Sequence, residues 1–438
     1  MSGLAKYLLE DGHTVSGSDI EDSKYISALK KLGADVRIGH NAENVPEDSI
    51  VVVSTAIRNS NPELIRAKQL GLKIYHRSDL LKEIAESAQK QSMSFIGFSG
   101  THGKTTTSGL ASYVLDKSGL NPSFVDGGIV PELNTNAQHK NGKYFVAELD
   151  ESDGTITKYS PDILVINNLE EDHVDYYKNG LTDLIETFNL AITKAKKVIV
   201  NADNYGTKLL DGDFVTFGLH DADYVAKNIN LTKDLTSFDV YYKSSLLCSV
   251  SISLGGIHNI YNTLAVISAL SEAGVKVNEI LPHFRTFTGM GRRFQKVGEL
   301  NGVQIYDDYA HHPTEIKATL DSSAQKFGKE HVVAVFQPHR YTRLKGLWEE
   351  FKHSFENSAR IIVTDIYSAS EDPIEGISSE KFVSELKGAE YIPGSIEEVG
   401  RKLLPTLKTG DVVIGLGAGT ITNLGKSLIN ANGDLTCK

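Results

Sequence analysis

Short apolar runs alternate with amphipathic stretches along most of this chain. In the first ninety residues, helical spacing occurs at 4–9, 24–32, 61–70 and 78–88, and strand patterns occur at 13–16, 50–54 and 73–75. This order predicts a doubly wound α/β domain. Such a domain should open with a strand and a glycine turn, but here helical spacing follows residues 1–3 directly. We therefore expect the first strand and most of its glycine loop to be missing from this chain.

The stretch 97–107, GFSGTHGKTTT, is the most informative part of the chain. It follows an apolar run at 95–98 that predicts a buried strand, and it precedes helical spacing at 108–115. A glycine turn between strand and helix surrounds an anion with backbone N–H groups, and a lysine reaches the outer phosphates. Lys104 is therefore the candidate phosphate-binding residue, which we expect to be exposed before a ligand arrives. Thr105 is the candidate ligand of nucleotide-bound magnesium.

This loop is a shortened variant of the usual pattern, because Phe98 stands where a glycine is expected. The alternative interpretation is a glycine-rich turn with a solvated lysine. That alternative requires the flanking strand and helix patterns to be accidental, so the phosphate-binding interpretation is favoured.

Carboxylates follow two further predicted strands. The run 148–153, ELDESD, follows a strand at 144–147, and 168–175, NLEEDHVD, follows a strand at 162–167. Ligands of open α/β sheets bind beyond the carboxyl ends of the strands, where acids hold Mg²⁺ against phosphates. Glu148 and His173 are therefore candidate metal ligands, although His173 by itself would more often be a surface or capping residue.

Residues 214–253 contain short alternating strands and predict a small β insertion. A helix follows, through 273, and its start carries Asn259 and Asn262, which share one face because they are three residues apart. N-capping would explain one of these asparagines but does not require both. Contact with a ligand is the other interpretation.

Strand–helix alternation returns after Gly291. We predict strands at 304–307, 332–336, 361–364 and 411–415 and helices at 313–327 and 344–355. Two segments rich in histidine, arginine and aromatic residues, 307–313 and 337–343, follow strands and suit a substrate that bears a carboxylate. The pair Arg292 and Arg293 follows a glycine turn and could bind phosphate, or it could simply be solvated.

Composition narrows the classes of function. A chain of 438 residues is too long for one hydrophobic core. Its formal net charge of −11 argues against nucleic-acid or anionic-membrane binding, and its 2 cysteines are too few for a disulfide framework. No apolar run reaches the roughly 18 residues of a membrane span. We expect a cytoplasmic protein, monomeric or homodimeric, with small-molecule partners.

Seven motifs, in chain order, resemble those of the Mur ligase family. They are GTHGKTTT at 100–107, ELDESD at 148–153, E-x-D-H-x-D at 170–175, H-N-x-x-N at 258–262, GRRF at 291–294, D-D-Y-x-H-H-P-T-E at 307–315 and PHRYTR at 338–343. The resemblance implies three α/β domains. They are a Rossmann-like UDP-sugar-binding domain at 1–88 lacking its first strand, a P-loop ATPase-like domain at 89–290 and a Rossmann-like amino-acid-binding domain at 291–438.

In this family, ATP converts a carboxylate to an acyl phosphate, and an amine then displaces the phosphate. The resemblance implies ligation of L-alanine to the lactyl carboxylate of UDP-N-acetylmuramate during peptidoglycan synthesis, with ATP and Mg²⁺ as cofactors. It assigns catalysis to Lys104, Glu148, His173, Arg293 and Asp308, and magnesium to Thr105, Glu148 and His173. It assigns ATP to Gly100, Thr101, His102, Gly103, Lys104, Thr105, Thr106, Asn259, Asn262 and Arg293. It assigns the other substrates to Ser2, Asp19, Tyr309, His311, Arg340 and Arg343.

Three alternatives stay open at this point. A recycling ligase of the same family would attach a preformed tripeptide to the same sugar nucleotide. A regulatory P-loop NTPase would hydrolyse nucleotide without ligation. A dinucleotide-dependent oxidoreductase is the weakest of the three, because the sequence contains no complete G-x-G-x-x-G motif.

Overall fold

The computed structural model describes residues 1–173 and 176–436, which form a mixed α/β fold. Asp175, the last residue of the motif at 170–175, and Cys437 lie outside the described residues. The chain forms two compact units: the first comprises Met1–Val225, Val240–Cys248 and Tyr261–His283, and the second comprises Ala226–Asp239, Ser249–Ile260 and the residues from Phe284 onward. Within 1–173 and 176–436, every helix is too short or too polar to cross a bilayer.

The first ninety residues form two separate two-stranded parallel sheets flanked by helices. Their elements are α1 (Ser2–Glu10), β1 (Ser16–Asp19), α2 (Lys24–Lys31), β2 (Asp35–Ile38), β3 (Ile50–Val53), α3 (Pro62–Gln69), β4 (Lys73–His76) and α4 (Arg77–Lys90). β1 pairs with β2, and β3 pairs with β4. The predicted buried strand at 50–54 is present, but Ile50 is 56% exposed, so its burial is only partial.

The middle of the chain forms a ten-stranded sheet in the order β14-β13-β12-β11-β10-β9-β5-β8-β6-β7. Its strands are β5 (Ser94–Ser99), β6 (Ser123–Val130), β7 (Thr135–Gln138), β8 (Tyr144–Glu148), β9 (Ile163–Ile166), β10 (Lys197–Asn201), β11 (Val215–Gly218), β12 (Tyr224–Leu231), β13 (Thr236–Tyr242) and β14 (Ser245–Ile252). Its helices are α5 (Lys104–Lys117), α6 (Leu181–Ile192), α7 (Ile257–Glu272) and α8 (Val277–Phe284).

The central strands of this sheet place the predicted site residues at one edge. β5 lies between β8 and β9 and is parallel to both, so the loops that follow these three strands leave the sheet on the same side. Phe95, Phe145 and Leu164 of these strands are fully buried in one hydrophobic core. That core fixes the strands and therefore the starting points of the loops.

The last part of the chain forms a six-stranded sheet in the order β15-β16-β20-β17-β18-β19. Its strands are β15 (Gln295–Leu300), β16 (Val303–Asp308), β17 (Val332–Phe336), β18 (Arg360–Val363), β19 (Ala389–Tyr391) and β20 (Val412–Leu416). Its helices are α9 (Pro313–Phe327), α10 (Tyr341–Gly346), α11 (Trp348–Lys352), α12 (Ser379–Glu385), α13 (Ile396–Leu403) and α14 (Leu424–Thr436). Alternate side chains of its buried strands enter two hydrophobic cores, one on each face.

Most predicted elements are present, with three corrections. The first predicted strand, 13–16, is observed at Ser16–Asp19, because the turn out of α1 is at 11–12 and residues 13–15 only lead from it into the strand. The predicted helix 344–355 is two short helices that break at Leu347. Sequence patterning missed the strands β2, β6, β7, β10, β15 and β19. Of these, β2 and β19 are short and largely exposed, so they lack a continuous apolar run.

Candidate active site

The loop between β5 and α5 contains two glycines that its shape requires. Gly100 has φ +121° and Gly103 has φ +83°, which are backbone conformations that favour glycine. A Cβ atom at Gly100 would lie 2.7 Å from the backbone oxygen of Asn168, and one at Gly103 would lie 2.7 Å from Oδ1 of Asn262. The predicted strand–loop–helix unit is therefore present, and Asn262 on α7 lies against it.

The same loop is tied to the segment that follows β9. The hydroxyl of Thr101 accepts a 2.9 Å hydrogen bond from the backbone N–H of Glu170, and the backbone N–H of His102 donates to Oδ1 of Asn168 at 2.8 Å. Thr106 lies in the first turn of α5. These contacts hold the loop in one shape before any phosphate binds.

Lys104 does not have the exposure that we expected of a loop lysine. Its side chain is 14% exposed, and its ammonium lies 2.9 Å from Oε1 of Glu151, whose side chain is 1% exposed. Burial lowers the pKa of Lys104, but the charges of Glu151, Asp150 and Glu148 outweigh burial and raise it. Two carbonyl oxygens of the loop also accept from the ammonium, at 2.7 and 3.1 Å. The expectation of an exposed lysine was wrong, because the carboxylates after β8 surround it.

The proposed magnesium ligands lie around this lysine. Thr105 is in the first turn of α5. Glu148 ends β8, and its Oε2 accepts from the N–H of Gly127 at 3.1 Å. Nε2 of His173 lies 3.8 Å from Oε1 of Glu151. A hydroxyl, a carboxylate and an imidazole at the end of parallel strands suit a cation that is shared with phosphates. The second carboxylate oxygen of Glu151 is buried and has no hydrogen-bond partner among the described residues, which also fits binding of a cation.

The two asparagines of α7 have different surroundings. Asn262 belongs to the first unit and lies against Gly103. Asn259 belongs to the second unit, and its Nδ2 donates to the backbone oxygen of Gly255 at 2.7 Å. A side chain that donates to a backbone oxygen does not cap the N–H groups at the start of a helix, so this bond gives the capping interpretation no support. The position of Asn262 suits contact with a nucleotide, and the assignment of both asparagines to ATP stays a prediction.

In the second unit, two arginines surround one tyrosine. The guanidinium carbons of Arg292 and Arg293 lie 4.9 and 5.1 Å from the centre of the Tyr309 ring. Asp307 accepts from Nε of Arg292 at 3.3 Å, and Glu315 lies 3.5 Å from NH1 of Arg293. The interpretation of a purely solvated pair is therefore wrong, because carboxylates and an aromatic ring fix both guanidinium groups.

Asp308 holds this turn in place. Its side chain is buried, and its two oxygens accept from the backbone N–H groups of Phe294 and Ala310, both at 2.7 Å. Burial raises its pKa to about 6. Both oxygens accept from backbone amides, so Asp308 fixes the turn that carries the arginines. Its catalytic role stays a prediction.

His311, one of the residues predicted to bind the amino acid, lies beside His339. Their ring centroids lie 5.7 Å apart in an edge-to-face arrangement, and the His339 ring stacks on Tyr367 at 5.6 Å. NH1 of Arg343 lies 3.2 Å from Nδ1 of His339. Burial, together with the nearby charges of His311 and the arginines, lowers the pKa of His339 to about 3. The cluster therefore combines a neutral imidazole with fixed positive charge.

Arg340 is held at the opening of α10 by a segment that sequence reasoning missed. Its φ is +69°, and its N–H donates to the backbone oxygen of Tyr367 at 2.9 Å. Glu371 lies 4.0 Å from NH1 of Arg340 and accepts from both the N–H and the hydroxyl of Thr342. The loop after β18 thus fixes the arginine segment after β17.

Ser2 and Asp19 occupy the ends of elements in the first ninety residues. Ser2 is the first residue of α1, and Asp19 is the last residue of β1 and is exposed. Both are at positions where a Rossmann-like domain contacts its nucleotide. Their contact with a UDP-sugar stays a prediction.

Several residues with a structural part in the site were not predicted. They are Glu151, Glu315, His339, Tyr367 and Glu371. Glu151, Glu315 and His339 belong to motifs that follow predicted strands, so their position in these motifs could have marked them as residues of the site. Tyr367 and Glu371 lie in a loop without a motif, and only the fold brings them to Arg340.

The first unit contains a glycine loop whose lysine lies among carboxylates, and the second contains a cluster of arginine and histidine side chains. Together with the parallel sheets, these features define a nucleotide-dependent α/β enzyme. Three family descriptions match the chain in order: "Mur ligase family, catalytic domain" at residues 1–89, "Mur ligase middle domain" at 98–270 and "Mur ligase, glutamate ligase domain" at 292–419. The chain belongs to the Mur ligase family.

Individual relatives are similar to this chain over nearly its whole length. The UDP-N-acetylmuramate–L-alanine ligase of Geotalea daltonii is 39% identical over 441 residues, which cover 98% of this chain and 95% of that protein. The crystal structure of UDP-N-acetylmuramate-alanine ligase MurC from Thermotoga maritima matches with a TM-score of 0.84 at 27% identity, covering 99% of this chain and 97% of that one. A murein peptide ligase from Psychrobacter arcticus matches with a TM-score of 0.73 at 22% identity, covering 99% and 96%, and this match shows the shared fold alone.

Proposed function

We propose that this chain is an ATP-dependent ligase that joins L-alanine to UDP-N-acetylmuramate in peptidoglycan synthesis. The full-length similarity to UDP-N-acetylmuramate–L-alanine ligases is the observation that carries the proposal. The order of the three family domains along the chain agrees with it. The regulatory NTPase alternative leaves the arginine and histidine pocket of the second unit without a role.

The first unit binds the nucleotide in this proposal. The N–H groups of the loop from Gly100 to Gly103 cradle the phosphates, and Lys104 leaves Glu151 to reach the outer ones. Thr105, Glu148 and His173 hold Mg²⁺, which supplies positive charge to the phosphates when it is bound. Asn262 contacts the nucleotide beside Gly103.

The reaction has two steps. The lactyl carboxylate of the sugar nucleotide attacks the γ-phosphorus of ATP, which forms an acyl phosphate and releases ADP. The amine of L-alanine then attacks the acyl carbon, and the carbon–oxygen bond to phosphate breaks. The lactyl carboxylate and the phosphates of ATP are both anions, so positive charge has to offset the repulsion between them. We assign this role to Lys104 and Arg293. Arg340 and Arg343 bind the carboxylate of alanine, and Tyr309 and His311 line the same pocket.

An ADP-release assay tests the proposal. ADP should form only when UDP-N-acetylmuramate, L-alanine, ATP and Mg²⁺ are all present, and EDTA should stop the reaction until Mg²⁺ is restored. Glycine, serine and the tripeptide of the recycling reaction are the comparison nucleophiles. Turnover with the tripeptide but not with alanine would favour the recycling ligase. Hydrolysis that is independent of the sugar nucleotide would favour the NTPase.

Three finer assignments complete the proposal. The domain limits are 1–88, 89–290 and 291–438, the location is the cytoplasm, and the assembly is a monomer or a homodimer. Limited proteolysis tests the limits, because cleavage should concentrate near residues 88–93 and 288–292. Sedimentation measures the assembly.

A further inference from the structure

The second unit contains two histidines whose hydrogen bonds give them opposite tautomers. Nδ1 of His311 lies 2.9 Å from the carbonyl oxygen of Tyr309. A carbonyl oxygen only accepts, so Nδ1 of His311 carries the hydrogen, and in the neutral ring Nε2 holds the lone pair. Nδ1 of His339 lies 3.2 Å from NH1 of Arg343. A guanidinium only donates, so Nδ1 of His339 is the acceptor and its Nε2 carries the hydrogen.

Among the residues that the structure describes, a carboxylate lies beside Nδ1 of His311 and none pairs with His339. Oε2 of Glu315 lies 3.3 Å from Nδ1 of His311, and both side chains are at most 15% exposed. A carboxylate behind an imidazole stabilises the imidazolium that forms when the far nitrogen takes a proton. His339 is surrounded by cationic groups and has its pKa lowered to about 3, so it stays neutral. Of the two rings, His311 is therefore the one built to accept a proton.

The charged and titratable groups around His311 come from four parts of the second unit. Tyr309 precedes it, and Glu315 faces it from α9. His339, with Arg343 behind it, faces it from the segment after β17. The guanidinium groups of Arg292 and Arg293 pack on the Tyr309 ring, which itself contacts the ring of His311. These cations favour the deprotonated form of an ammonium group placed among them, as well as binding a carboxylate.

We propose that His311 is the general base that deprotonates the ammonium group of the incoming amino acid, with Glu315 as its positioning residue. This inference rests on the proposed function. Nε2 of His311 takes one proton from the ammonium group, and the freed nitrogen lone pair forms the bond to the acyl carbon. The carbon–oxygen bond to phosphate then breaks, its electron pair leaves with inorganic phosphate, and the nitrogen releases its second proton to the departing phosphate or to water.

His311→Asn tests the base assignment because asparagine cannot accept the proton. General-base removal typically costs about 10² to 10⁴ in rate, so we expect kcat with saturating L-alanine to fall at least about 100-fold, with KM for alanine changed less than about threefold. The kcat of the variant should rise about tenfold per pH unit as free amine accumulates, whereas kcat of the wild type levels off. A raised KM with unchanged kcat, or a wild-type pH profile, would overturn the proposal.

Hydroxylamine separates loss of the base from loss of the fold. It is mostly the neutral free base near pH 7 and needs no base before it attacks the acyl phosphate. We expect His311→Asn to form hydroxamate at close to the wild-type rate, and a large loss with both nucleophiles would overturn the assignment. If the wild type forms neither hydroxamate nor ADP, the proposed function itself is refuted, and the base assignment with it.

Two further variants complete the test. Glu315→Gln keeps a capping side chain at the start of α9 but removes the negative charge, so the acidic limb of the kcat profile should move to lower pH and kcat should fall. An unmoved limb would contradict the positioning role. His331→Asn is the matched control, because His331 is 46% exposed and lies in the short 3-10 turn Lys329–His331 that follows α9. It should leave kcat, KM and the pH profile unchanged.

Discussion

Replacing Glu151 with glutamine tests how the carboxyl group that pairs with Lys104 makes the free energy of unfolding depend on pH. Burial raises the pKa of Glu151 from the ordinary 4.5 to about 7, even though Lys104 attracts its negative form. When folding raises the pKa of a carboxyl group, the group makes its full contribution to the free energy of unfolding at pH values below its pKa in the unfolded chain. This contribution is lost as the pH rises through the pKa in the folded protein. The window in which Glu151 changes stability therefore runs from about pH 4.5 to about pH 7.

The size of the effect follows from the same pKa. A tenfold change in proton affinity corresponds to about 1.4 kcal/mol, so the rise in the pKa of Glu151 corresponds to about 3 kcal/mol of unfolding free energy lost across the window. Glutamine keeps the volume of the side chain and an acceptor for the lysine, but it does not titrate. Between pH 5 and pH 8, which leaves out the first half unit of this window, the wild type should therefore lose about 2 to 3 kcal/mol more stability than Glu151→Gln.

Urea unfolding of the nucleotide-free protein at both pH values measures the difference. Glu272→Gln is the matched control, because Glu272 also pairs with a lysine, Lys197, whose side chain is 41% exposed. It should shift stability equally at both pH values. The reasoning is refuted if Glu151→Gln and the wild type lose the same stability, or if the variant loses more.

Three other substitutions address the site. Lys104→Met should lower ADP formation at least about 100-fold, because a donor to the transferred phosphate is lost. It should also lower the melting temperature, because Glu151 stays buried without its cation. A fully active variant would contradict the phosphate-loop assignment. Gly103→Ala places a Cβ 2.7 Å from Oδ1 of Asn262 at φ +83°, so calorimetry should show weaker ADP binding. Arg343→Lys should raise KM for alanine about tenfold with KM for ATP unchanged, because an ammonium cannot reproduce the guanidinium fork.

Local sequence pattern was sufficient where one element carries the signal. Helix α9, Pro313–Phe327, and strand β17, Val332–Phe336, were predicted to the residue, because a proline and a histidine cap open the helix and a continuous apolar run marks the strand. The loop at 100–103 was predicted for the same reason. Glycines, a lysine and a strand–helix boundary are all visible within about a dozen residues.

Sequence pattern failed where the fold pairs distant residues. Lys104 looked exposed because its neighbours in sequence are small, but β8 lies beside β5 and carries Glu151 to it. Likewise Glu371 binds Thr342 across 29 residues of sequence, and nothing local marks it. Such contacts depend on which strands are adjacent in the sheet, and strand order is a property of tertiary packing rather than of periodicity.

The two small sheets of the first ninety residues have a consequence for ligand recognition. Each ladder joins only two strands of four residues, and Ile38 and Ile50 are 50% and 56% exposed. Two-stranded ribbons with little apolar burial open at low free energy, so amide hydrogen exchange should be faster in β1–β4 than in β5, β8 and β9. A sugar nucleotide that binds there has to order these two-stranded sheets, so its observed affinity is lower than its contacts alone would give. Its binding should also slow amide hydrogen exchange in β1–β4.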